Sequence, residues 1–98
     1  MNDKASITLS QNSFLVEGSI NFDTAVSLWT TSLPLLKNSK ELLFDFSNVI
    51  KANSAALALL LEWIKYARDE QKKIVFQHLP SQLISVATVA GISQFLSV

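Results

Sequence analysis

The stretch that decides the fold is Leu42–Tyr66, LLFDFSNVIKANSAALALLLEWIKY. It opens on three consecutive apolar residues, Leu42, Leu43 and Phe44. An unbroken run of this kind reads as a strand over Glu41–Phe46, covered on both faces as in a parallel sheet. Residues 47–53 are mostly polar and include Lys51 and Asn53, so they read as a loop. A helix follows from Ser54 to about Gln71. It carries one apolar stripe of Leu57, Leu60, Leu61, Ile64 and Ala67, and a second of Ala56, Leu59, Trp63 and Tyr66. Two stripes leave its first half apolar nearly all round, which predicts burial on more than one side. At its start, either the Ser54 hydroxyl or the Asn53 amide can accept a bond from a free helical N–H, worth about 1 kcal/mol.

Downstream, Ile74–Gln77 reads as another short apolar strand. Pro80 opens a last helix, Leu83, Val86, Ala87 and Ala90 give it a core face, and Gly91 suits its C-terminal cap. Residues 92–98 are expected to form a final turn or short strand. Upstream, Ser6–Leu9 and Phe14–Glu17 read as strands of a hairpin around the turn residues 10–13, with Gly18 ending the second. Residues 21–24 offer cap oxygens for a helix from Thr24 to about Lys37, on which Ala25, Leu28, Trp29 and Ser32 share a face. Pro34 predicts a kink or restart in it.

The order is therefore β-β-α-β-α-β-α, an α/β domain. It predicts a mixed sheet of roughly four strands, with helices packed mainly on one face. The strand–helix–strand unit over residues 41–77 is a parallel crossover, right-handed by rule. Loops at the C-terminal ends of parallel strands carry the chemistry of such sheets. Those loops are residues 46–54 and the His78-Leu79 connection, so Ser54 and His78 are expected to be neighbours.

Composition narrows the function. The 98 residues suit one domain over 1–98, 49% hydrophobic and 16% charged, with a formal net charge of +0. No basic stripe favours nucleic acid. No apolar run approaches the roughly 18–20 residues that span a bilayer. The opening MNDKASITLS lacks a signal-peptide layout, so a cytosolic protein is expected. With one histidine and no cysteine, no metal site is expected, and no cofactor motif is present. Asp45, Ser54 and His78 could be drawn as a hydrolytic triad. No Gly-x-Ser-x-Gly elbow surrounds Ser54, and a triad is defined by geometry rather than residue types, so catalysis is not expected. Protein binding is. Of the two tryptophans, at least one belongs to the core, and Trp29 is the preferred interface anchor. Lys51 can pair with an acidic group on a partner.

The EGSINFDTA stretch entering the first helix, the element order and DFSNVIKANSAALALLLEW resemble a STAS domain. That is the fold of anti-sigma-factor antagonists and of the cytosolic tails of sulphate transporters. Leu28-Trp29, the LALLL run and VAGI after the last helix are similar to one branch of it: the small cytosolic subunits of ABC transporters that move phospholipids in Gram-negative bacteria and maintain outer-membrane lipid asymmetry. The resemblance implies a non-catalytic subunit that docks on the transporter's ATPase, and through it sits at the inner membrane beside the permease. It implies that Ser54 and its neighbours face that partner; together with the anchor Trp29 and the loop residue Lys51, the expected docking surface is Trp29, Lys51, Asn53, Ser54, Ala55, Ala56 and Leu57. The family signature, Asp-Ser/Thr-x-Gly, reads here Asn53-Ser54-Ala55-Ala56. The hydroxyl is kept while the acid and the glycine are not. In the antagonists that hydroxyl is phosphorylated, so the alternative reading is an anti-sigma-factor antagonist switched at Ser54.

Overall fold

The computed structural model describes residues 4–97. Among them, a hairpin of two strands precedes alternating helices and strands: β1 (Ala5–Ser10), β2 (Ser13–Ile20), α1 (Phe22–Lys37), β3 (Glu41–Ala52), α2 (Ser54–Asp69), β4 (Lys73–Gln77) and α3 (Ser81–Val89). A short 3-10 helix, Ser93–Phe95, follows. The sheet order is β1-β2-β3-β4. β1 and β2 are antiparallel, while β2, β3 and β4 run parallel. The expected mixed four-stranded sheet is therefore present. After the 3-10 helix, Leu96 bridges Phe76 and the Ser97 N–H reaches the Phe76 carbonyl at 2.9 Å. Val98, the end of the expected final turn, lies outside the described residues, as do residues 1–3.

Two expectations about β3 are corrected. It does not end at Phe46. Residues 47–52 continue the strand, because β2 runs on past Gly18 to Ile20 and offers them a partner: Glu17 pairs with Asn48, Gly18 with Val49, Ser19 with Lys51 and Ile20 with Ala52. Register shifts at Leu15/Glu17 and Gly18/Ser19 bend this long pair. Gly18 does not end the strand but makes the bend. Its φ is +96, and a Cβ there would lie 2.1 Å from the Lys4 carbonyl oxygen. Nor is β3 covered on both faces. Leu42, Phe44 and Phe46 are buried, whereas Leu43 and Asp45 between them are half-buried.

The helices cover the face that Phe14, Val16, Phe44, Phe46 and Phe76 present. α1 contributes Leu28, Ser32 and Leu36, and it continues through Pro34 without a restart. Pro34 is exposed, so its ring stays off the buried face formed by Leu28, Ser32 and Leu36. From α2 come Ala56, Leu59, Leu60, Trp63 and Ala67. Leu61, expected in the core stripe, is 43% exposed: the two stripes do not both fit one sheet face, and burial follows Leu59, Leu60 and Trp63. Trp63 is the hub. It stacks on Phe44 at 4.3 Å between ring centroids, and its Nε1–H donates to the Ser32 hydroxyl at 2.9 Å. Ser32 in turn donates to the Trp29 carbonyl at 2.7 Å, so the one buried polar side chain among the described residues is satisfied.

Candidate docking site

The pairing that lengthens β2 and β3 also sets the site. Ile20 and Ala52 end the two strands side by side, and the Asn53 N–H donates to the Ile20 carbonyl at 3.1 Å. α1 and α2 thus leave the sheet from adjacent points. Each is fixed by an asparagine. The Asn21 side-chain oxygen accepts from the Asp23 and Thr24 N–H groups, both at 2.9 Å, and the Thr24 hydroxyl accepts from the Asn21 N–H at 2.9 Å. The Thr24 hydroxyl also donates to the Ser19 carbonyl at 2.8 Å, which ties the cap to β2. At α2 the Asn53 oxygen accepts from the Ala55 N–H at 2.8 Å. Asn53 is therefore the cap of α2. Ser54 is the first helical residue and exposed, so its hydroxyl is not needed for capping.

Between the two helices runs an apolar groove of about 310 Å³. Phe22, Ala25, Val26 and Trp29 line it from α1, and Ala55, Ala58, Leu59 and Glu62 from α2. Phe22 is 69% exposed and Val26 68%. Side chains of this size, left in water on adjacent turns, form a patch rather than scattered apolar residues. Glu62 is the one charge in the lining.

The residues expected at the interface divide. Trp29 is half-buried in the α1 wall, while Lys51, Asn53 and Ser54 are exposed at the mouth of the two helices. Leu57 is half-buried against the core. Ala55 and Ala56 are 2% and 0% exposed. Ala56 belongs to the core, and Ala55 contributes only the groove floor. Outside the expected docking surface, Ala25, Ala58, Leu59 and Glu62 also line the groove, with Phe22 and Val26 as its two large exposed side chains. Their signal was available: Phe22, Val26 and Trp29 stand at helical i, i+4, i+7 spacing, beside the core stripe rather than on it.

The drawn triad is not assembled. His78 Nδ1 lies 3.0 Å from an Asp45 carboxylate oxygen, which also accepts from the Ser47 N–H at 2.9 Å. Ser54 is not their neighbour as expected, because β3 continues from Asp45 to Ala52 before α2 begins, and it bonds neither. Partial burial works against the Asp45 charge. The Ser47 N–H, His78 and the Ser47 side chain together outweigh it and hold the carboxyl below its usual pKa. Among the described residues, no three His, Cys, Asp or Glu side chains gather to hold a metal ion. Among the same residues, no helix is long and apolar enough to cross a membrane.

A parallel β2-β3-β4 core with a leading hairpin strand, and α1, α2 and α3 against one face, defines a STAS-type domain. The family model described as "Mlab, STAS domain" matches residues 6–97, and the chain belongs to that MlaB family of STAS domains. Solved structures agree on the fold. The anti-sigma-factor antagonist SpoIIAA in its unphosphorylated form is similar with a TM-score of 0.75 at 8% identity, over 95% of this chain and 85% of that one. A chain of the Acinetobacter MlaFEDB complex in the ATP-bound Vtrans2 conformation gives 0.74 at 23% identity, over 92% and 95%. The same complex in the Vtrans1 conformation gives 0.71 at 20% identity, over 91% and 95%. No protein among the curated sequences matches.

Proposed function

We propose that the domain is a non-catalytic subunit that docks on the ATPase of an ABC phospholipid transporter and supports its assembly or activity. The observation that carries this reading is the exposed apolar groove between α1 and α2, in a chain whose family and fold are those of a subunit of the MlaFEDB complex. Trp29, Phe22 and Val26 serve as anchors. Lys51, Asn53 and Ser54 form the polar edge beside them, and Leu57 stiffens the first turns of α2. A few such aromatic and aliphatic anchors dominate an interface, while surrounding contacts exclude water. Docking changes the ATPase only by binding one of its conformations better than another, and the conformation that pairs on ATP is the one favoured here. The domain then resides at the cytosolic side of the inner membrane through the transporter, and the traffic it supports preserves outer-membrane lipid asymmetry.

A second reading has its own support: SpoIIAA shares the fold, and Ser54 presents a free hydroxyl at the start of α2. A phosphate there sits at the positive end of the helix dipole. It would also place nearly two negative charges beside the apolar groove, switching docking off. Affinity capture from a Gram-negative host, wild type against Ser54→Arg, separates the readings. Recovery of an ABC ATPase by wild type and its loss with Ser54→Arg is the expected result. Recovery of a kinase-like protein instead, with phosphate on Ser54, replaces this reading with the switch.

A further inference from the structure

α2 has a second flank. Away from α1, its C-terminal half, β4 and the 3-10 helix enclose a groove of about 810 Å³. Leu61, Ile64, Ile74 and Phe95 give it an apolar floor. Its rim is basic. Four of the eight Lys and Arg residues line it: Lys65, Arg68, Lys72 and Lys73. None of the eight Asp and Glu residues does. In a chain of zero net charge this is a marked segregation of sign. Lys72 is occupied. Its ammonium donates to the Leu36 and Lys37 carbonyls at 2.7 and 3.2 Å, closing the end of α1, and lies 5.5 Å from the Tyr66 ring centre. Lys65, Arg68 and Lys73 make no ion pair among the described residues.

We infer that this groove is a second docking site, and that its occupant is an acidic peptide segment with apolar side chains, carried by a protein partner. The charge rules on the sign. Three free cations around an apolar floor attract and orient an acidic ligand, and they repel a basic one. Burial argues against a bilayer: Ile74 is buried and Ile64 and Phe95 are half-buried, so Leu61 is the one large apolar side chain of the lining that is exposed. The positions of the cations argue against a single headgroup. Lys65 and Arg68 stand a turn apart on α2, whereas Lys73 opens β4 on the opposite wall, so they match acids spaced along a chain. Ala55, Ala58, Leu59 and Glu62 face the first groove from the N-terminal half of α2, so the two grooves share no residue.

A short-peptide display library panned on the full chain tests this, with counter-selection on the Lys65→Glu/Arg68→Glu variant. Acidic peptides bearing apolar residues should be enriched. Their binding should weaken with salt, fall about tenfold or more in the charge-reversed variant, and fall less in Lys65→Ala/Arg68→Ala. Amide shifts on titration should centre on residues 61–75 and Phe95. ATPase docking through the first groove should be unchanged in both variants, so failure here is distinguishable from failure of the proposed function. Enrichment of peptides without Asp or Glu, or binding indifferent to charge reversal, overturns the inference. Phosphatidylglycerol vesicles that bind wild type, where no acidic peptide does, overturn it in favour of a lipid.

Discussion

Two tryptophans on neighbouring helices have opposite fates. Trp63 is fully buried, stacked on Phe44 and bonded through its indole N–H to Ser32. Trp29 is half-buried and lines an open groove beside two exposed apolar residues. Both lie at helical spacing among apolar neighbours. What separates them is what they meet. Trp63 faces the sheet, where Phe44, Phe46 and Phe76 surround it within 6.4 Å between ring centres. Trp29 faces the gap that α1 and α2 leave between them. Burial of the first stabilises the fold. Incomplete burial of the second leaves area for a partner to cover.

The contrast is broken or sharpened by variants of graded effect. Trp63→Ala should cost about 3–5 kcal/mol, because it removes the hub of the core and leaves a cavity. Urea unfolding followed by circular dichroism reads this, and a cost below about 1 kcal/mol would place Trp63 outside the core. Leu60 and Leu61 repeat the contrast one residue apart. Leu60→Ala should cost about 2–5 kcal/mol. Leu61→Ala should cost under about 1 kcal/mol, since it is 43% exposed where Leu60 is 0%. Equal losses would mean that α2 is rotated from the orientation described. Ser32→Ala should cost about 1–3 kcal/mol by leaving the Trp63 N–H without its acceptor. The smallest effect is at Asp45. Its carboxyl is held below the usual range, so its contribution is complete above the ordinary carboxylate pKa and is lost as pH falls through the lowered value. Asp45→Asn should flatten the acid limb of a plot of thermal midpoint against pH, and an unchanged limb would show that the His78 and Ser47 contacts add nothing.

Much of this was legible in the sequence, for identifiable reasons. The order of elements follows from apolar periods of two and 3.6 residues and from Asn, Gly and Pro at their ends. The caps at Asn21 and Asn53 are local, so sequence neighbours reveal them. The length of β3 is not local. Ser47, Asn48 and Lys51 resemble loop residues until β2 is seen to bend at Gly18 and pair with them. Partner strands far apart in sequence decide such cases, and they also decide that Leu43 is only half covered. At the site, Trp29 was readable as an anchor by residue type. Phe22 was not, because its neighbours 21–24 drew attention as cap residues. Ala55 and Ala56 entered the expected surface because they follow Ser54 in the motif, yet at the first turn of α2 their methyl groups point inward.

Under the proposed function, Trp29 serves a partner while Trp63 serves the fold. The most direct test measures both properties on one variant, Trp29→Ala: thermal midpoint, and affinity for the transporter ATPase in the presence of ATP. A midpoint within a few degrees of wild type, with affinity lowered by about tenfold or more, is the predicted result. A midpoint that collapses as it does for Trp63→Ala, or an affinity that does not change, would contradict the account.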